Sequence, residues 1–215
     1  VPADPWRDQP EVRQLLATDP RRAAIAARPA SLATGTLDPR ELMLELDAAL
    51  PPDATVVTGV GNFTWFPVQY LRNPADRRFL STIDFVAIGQ AVPTAIGAAI
   101  GQPGRPVVAF EGDGSFMMHV PELETAARYG VPVLVFVLND GALGAEYHKL
   151  KALGLDPGES ILPSADIVEL AEALGARATR ITDPAQARKV VDWFDPALGP
   201  HVVDCPTSRS VVGPQ

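Results

Sequence analysis

The chain has 215 residues, 47% of them hydrophobic and one a cysteine, with 18 basic against 26 acidic residues for a net charge of −8. Such a composition supports a sizeable globular core, and an acidic balance without a basic run argues against a nucleic-acid partner. Cys205 stands alone, which excludes an intrachain disulfide, and no apolar stretch approaches the roughly 20 residues that cross a bilayer.

The opening "VPADPWRDQP" has neither the charged start nor the apolar run of a secretory signal, so the cytoplasm is the expected compartment. Residues 1–36 are interrupted by Pro2, Pro5, Pro10, Pro20 and Pro29, read as a linker or wrap-around arm, and hold only short helices. A helix then starts at "LDPRELMLELDAAL", with Asp38 as N-cap, Pro39 in the first turn and Glu41 completing a capping box; Pro51 and Pro52 end it.

From there strands and helices alternate. Apolar strands are expected at 54–58, 106–111 and 131–138, separated by helices in "AVPTAIGAAIG" and "VPELETAARYG", the second stopped by Gly130. Further on, "SADIVELAEALG" is a helix capped by Asp166 with Glu169, "ARATRI" a strand, "DPAQARKVVDWF" a helix and "PHVVDC" a last strand. Strands apolar throughout and joined by helices predict a doubly wound, mostly parallel α/β sheet with helices on both faces. That makes 37–205 a single domain after the arm, followed by a tail at 206–215.

In open parallel sheets ligands bind outside the carboxyl ends of the strands. Three loops fall there: "GVGNF" with Gly61 and Asn62, "GDGS" with Gly112, Asp113, Gly114 and Ser115, and "NDGALGAE" with Asp140, Ala142, Leu143 and Gly144. Glycines admit backbone amides to an anion, and two carboxylates with a backbone carbonyl are the oxygen donors a hard divalent cation prefers. Taken singly, Asp and Gly after a strand are also ordinary turn residues. "GVGNF" is similar to a dinucleotide loop but lacks the third glycine, and no acidic ribose-binding residue follows the second strand, so a nicotinamide-nucleotide domain ranks last.

"GDGSFMMHVPELETAARYGVPVLVFVLND", with 24 residues between Gly114 and Asn139, resembles the signature of thiamine diphosphate-dependent enzymes. The internal "ELETAARYGVPV" looks like their acetolactate synthase-like branch, and the resemblance runs from about Leu37 to Asp204, the diphosphate-binding domain of that family. It implies thiamine diphosphate and Mg2+ as cofactors, with Asp113, Asp140 and the Ala142 carbonyl as metal ligands. The family usually has Asn where this chain has Asp140.

In "FVAIGQAVPTAIGAAIG" the resemblance makes Ile88 the apolar wedge under the cofactor and the Val86 carbonyl the acceptor for its aminopyrimidine, with Ala87 and Gly89 close by. Glu146, and less strongly His148, are catalytic candidates by position, whereas His119 reads as a satisfied half-buried imidazole. The family's activating glutamate comes from a pyrimidine-binding domain, to which no segment here is similar. The expected function is therefore the diphosphate and Mg-binding half of a decarboxylase or carboligase acting on a 2-oxo acid, as a fragment or a subunit of a split, oligomeric enzyme. The second reading is a non-catalytic cofactor-binding or regulatory domain of the same fold.

Overall fold

A computed structural model describes residues 9–17, 19–163 and 165–213. Residues 1–8 and 18 of the expected arm, including Pro2 and Pro5, and residues 214 and 215 of the expected tail lie outside the described residues. The chain divides into two compact units, Val1–Ser31 and Leu32–Gln215. In the first unit, helices α1 (Pro10–Ala17) and α2 (Pro20–Ala27) are short. Asp19 caps α2 by accepting the Arg21 N–H at 3.0 Å, and the Arg21 guanidinium beside it holds its carboxyl down at about 2.

The second unit contains six strands, β1 (Thr55–Thr58), β2 (Arg78–Ser81), β3 (Val107–Gly112), β4 (Leu134–Asn139), β5 (Arg177–Arg180) and β6 (His201–Pro206). They form one sheet in the order β2-β1-β3-β4-β6-β5, with every pairing parallel. The sheet carries α3 (Pro39–Ala49), α4 (Trp65–Tyr70), α5 (Ala91–Gly101), α6 (Asp113–His119), α7 (Glu122–Arg128), α8 (Gly144–Ala152), α9 (Ile167–Ala173) and α10 (Gln186–Trp193).

Strand alternation divides the core into two layers. Val57, Ala109, Val135, Val137 and Val202 pack with Ala95 and Ile96 of α5, Leu123 of α7 and Ile167 of α9. The alternate set includes Val56, Phe110, Phe136 and Val203, all fully buried, and Phe110 and Phe136 stack at 5.7 Å across the β3–β4 register. Buried Leu42, Met43 and Leu46 of α3 belong to the remaining helices, where α3 packs on both α4 and α10.

The doubly wound parallel sheet expected from the sequence is thus present, with three corrections. The strand expected at 131–138 begins at Leu134, because the Val131 N–H is taken by the Ala126 carbonyl at 2.8 Å and Pro132 has no N–H to pair. The edge strand β2 and the short helix α4 were not anticipated. Three of the four β2 residues are exposed, so no apolar run marks it. Finally α10 starts at Gln186, two residues beyond Pro184, with Asp183 accepting the Ala185 N–H at 2.9 Å.

The order matters for function. The chain leaves β1 outward to β2 and then returns to β3 on the other side, so the sheet's switch point lies between β1 and β3. Ligand crevices open at such points, outside the carboxyl ends of the strands.

Candidate functional site

A cleft of about 680 Å3, counting its open mouth, lies at this switch point. The loop after β1 contributes Gly61 and Asn62, the end of β3 and the start of α6 contribute Gly112, Asp113, Gly114 and Ser115, and the loop after β4 contributes Asp140, Ala142, Leu143 and Gly144. Glu146 of α8 stands exposed at the rim, and Ile88 reaches the cleft from the loop before α5. Most of the residues singled out in the sequence are therefore brought together.

Val86, Ala87 and Gly89 share the Ile88 loop but do not line the cleft, and neither does His148. The His148 ring is half-buried against Tyr147, edge to face at 5.3 Å. Burial, followed by the Lys151 and Arg209 charges, lowers its pKa. His119 sits beneath the Gly89 loop, with Nε2 3.2 Å from the Gln90 amide nitrogen and Nδ1 buried without a hydrogen-bond partner.

The cleft is electrostatically unusual at two positions. Asp113, at the end of β3, is 6% exposed, and burial pushes its carboxyl up to about 6 although the N–H groups of Gly114 and Asp140 approach it. Asp140 rises to about 7, first from burial and then from the neighbouring Asp113 charge. A desolvated acidic pair of this kind is short of cationic charge. Among the described residues no three His, Cys, Asp or Glu side chains cluster to hold a metal. A cation here would take two carboxylates and backbone oxygen.

The loop after β4 holds its oxygen atoms in fixed directions. Asp140 Oδ1 accepts the Ala142 N–H at 3.1 Å, which fixes the carboxylate over its own turn. The Gly141 carbonyl is taken by the Leu162 N–H at 3.0 Å and the Leu143 carbonyl by the Tyr147 N–H at 2.9 Å, but neither bond uses the Ala142 carbonyl. Gly144 must lack a side chain, since a Cβ there would lie 2.7 Å from Asp140 Oδ2 and 3.1 Å from Asn62 Cβ.

Behind the cleft lies a residue that sequence reasoning passed over. Glu111, next to last in the buried strand β3, is fully inaccessible, and burial pushes its carboxyl up to about 7. Its Oε2 accepts the Ala91 N–H at 2.9 Å, and Oε1 accepts the Ser115 hydroxyl, which in turn accepts the Gly89 N–H at 2.9 Å. The Ser115 hydroxyl is thus committed to bracing the Ile88–Gly89 loop. A charged residue inside an apolar run, directly before "GDG", was the signal.

The segment after β6 was also missed. Thr207, Ser208 and Val211 line the cleft, the Gly213 N–H donates to Asn62 Oδ1 at 3.0 Å, and Arg209 reaches the loop after β4.

Comparison with known proteins adds a family to this geometry. A sequence model of the family described as thiamine pyrophosphate enzyme, C-terminal TPP binding domain, matches residues 59–205. The chain is 32% identical over 179 residues to the chloroplastic acetolactate synthase 2 of Zea mays, covering 78% of this chain and 28% of that protein. It is 34% identical over 164 residues to the sulfoacetaldehyde acetyltransferase of Castellaniella defragrans, covering 73% of this chain and 27% of that protein.

Among solved structures, the thiamine diphosphate-dependent 4-hydroxybenzoylformate decarboxylase of Rhodococcus jostii superposes with a TM-score of 0.71 at 29% identity. The match covers 84% of this chain and 34% of that one. The chain spans about a third or less of the length of these relatives.

Proposed function

The chain belongs to the thiamine pyrophosphate enzymes, as their C-terminal TPP binding domain, and from that premise we propose that it holds the diphosphate and a magnesium ion in an enzyme acting on a 2-oxo acid. The observation that carries the proposal is the desolvated pair Asp113 and Asp140 at the carboxyl ends of adjacent strands. Both carboxyls are held near neutrality by burial, and a divalent cation would restore their charge and bridge them to a diphosphate.

In this reading Asp113, Asp140 and the Ala142 carbonyl hold Mg2+. Gly61, Asn62, Gly112, Gly114, Leu143 and Gly144 form the walls around the diphosphate, and Ser115 braces the loop opposite. Ile88 is the apolar support under the cofactor, with Val86, Ala87 and Gly89 positioning the aminopyrimidine. Bound thiamine diphosphate supplies the electron sink that lets a 2-oxo acid lose carbon dioxide. Glu146, exposed at the cleft rim, is the catalytic candidate in this reading, and His148, outside the cleft lining, is the lesser one.

The product would be an aldehyde after protonation or a longer ketone after transfer to an acceptor carbonyl. Relatives named for synthase, acetyltransferase and decarboxylase activities support the class without choosing among these. A pyrimidine-binding domain, from the same or another polypeptide, would supply the activating glutamate. Phe85, 89% exposed, and Ile83, Met117 and Met118, also exposed, are apolar side chains that such a partner would cover.

Calorimetric titration with thiamine diphosphate and Mg2+ tests the reading. Binding that requires the metal and is lost in Asp113→Asn is expected; no binding, even with a pyrimidine-binding partner present, would sink it. Binding without turnover of any 2-oxo acid in the complete assembly would instead favour a non-catalytic domain.

A further inference from the structure

Arg209 lies beyond the residues that match the family, 59–205, on a segment that turns back along the cleft. The Thr207 N–H donates to the Asn139 carbonyl at 2.8 Å and the Ser208 N–H to the Leu37 carbonyl at 2.9 Å, so the segment is anchored before Arg209 is reached. From there the Arg209 guanidinium donates to the Asp140 carbonyl through Nε at 2.9 Å and Nη2 at 2.6 Å, and to the Gly141 carbonyl through Nη2 at 2.9 Å. Its charge also rests 5.1 Å from the centre of the Tyr147 ring.

The fit between this side chain and the loop is mutual. Gly141 has φ +67, a left-handed conformation that side chains rarely adopt, and a Cβ there would lie 2.8 Å from Arg209 Nη2. The guanidinium therefore occupies the space a side chain at 141 would need. Its positive charge is thereby held against the loop that carries Asp140.

We propose that Arg209 is a positioning residue for the divalent-cation loop. By gripping the Asp140 and Gly141 carbonyls it fixes the direction of the Asp140 carboxylate, and its charge offsets the second acid at the site. The inference rests on the metal-holding role proposed above. A planar fork is required, because a lysine ammonium keeps the charge but cannot hold two carbonyls in one plane.

The test is titration of Mg2+, and separately Ca2+, into the full protein at saturating thiamine diphosphate, comparing the parent with Arg209→Lys and Arg209→Ala. Mg2+ demands near-octahedral geometry, whereas Ca2+ tolerates displaced ligands. A misdirected Asp140 should therefore weaken Mg2+ by about tenfold or more, the usual cost of losing a residue that orients a metal ligand, with a smaller loss for Ca2+. Arg209→Lys keeps the segment's backbone anchors and the charge, so it isolates the grip.

Equal weakening of both ions, or unchanged Mg2+ affinity in both variants, would overturn the role of Arg209. Failure of the parent itself to bind the cofactor with Mg2+ would instead overturn the metal-holding reading beneath it.

Discussion

The buried carboxyl of Glu111 accepts the backbone N–H of Ala91 at 2.9 Å, and so the end of β3 caps the start of α5. The Val92 N–H also approaches the carboxyl, and the Ser115 hydroxyl carries the connection on to Gly89. Glu111→Ala would leave these donors buried and unpaired, at about 1–3 kcal/mol for each group. Urea unfolding should show a loss at the upper part of that range, with a smaller loss in Glu111→Gln, which keeps one acceptor oxygen.

Three buried acids shape the response of the metal-free protein to pH. Asp113 rises from 3.8 to about 6, Asp140 from 3.8 to about 7 and Glu111 from 4.5 to about 7. In the folded state each holds its proton to higher pH than in the unfolded chain. Their contribution is therefore fully present below pH about 4 and lost as pH rises toward 7. Asp140→Asn should gain on the parent in denaturant midpoint steadily from pH 4.5 to 7.5. A constant difference across that range would contradict the assignment.

His201 works in the opposite direction. Burial, then the Arg177 charge, lowers it from 6.5 to about 4, so the folded chain keeps it neutral where the unfolded chain protonates. Its contribution is present above pH 6.5 and lost as pH falls toward 4. His201→Gln should flatten the acid limb of the stability profile, read by the same denaturant series. The mutation also removes the partner of the Thr179 hydroxyl, now 3.0 Å from Nε2, so a small loss at pH 8 is expected as well.

Val86 has φ 61, and among the described residues it is the one non-glycine with positive φ. A β-branched residue is strained there, and its side chain is about half exposed, so little packing is at stake. Val86→Gly should stabilise the protein by about 1 kcal/mol, the relieved strain less the greater entropy glycine loses on folding. If the Val86 carbonyl faces the aminopyrimidine, the same variant should weaken thiamine diphosphate binding while raising the melting temperature.

Legibility in the sequence followed burial for most strands, although the edge strand β5 was read from its place between two capped helices. β1, β3, β4 and β6 are central, and their mostly apolar runs declared them. β2 is exposed along an edge and had no such run. In the site, Asp113 and Asp140 were visible because two short motifs at fixed spacing constrain each other. Arg209 was not, since it meets Asp140 from 69 positions away and nothing local marks a cation destined for a carbonyl. Glu111 was hidden for the opposite reason: a charge inside a strand reads as an interruption until the helix start that receives it is placed beside it.

The place of β6 in the sheet has a further consequence, for the order in which the protein can be made. It is the last strand in the chain, yet it lies between β4 and β5. A nascent chain therefore releases β5 before its neighbour in the sheet exists. During that interval β4, whose residues end almost wholly buried, presents an unpaired edge that can template pairing with another chain. Ribosome-bound chains whose emerged portion stops before His201 should recruit chaperones, and those in which Pro206 has cleared the exit tunnel should release them. That exposure closes only when β6 slots in between strands already made.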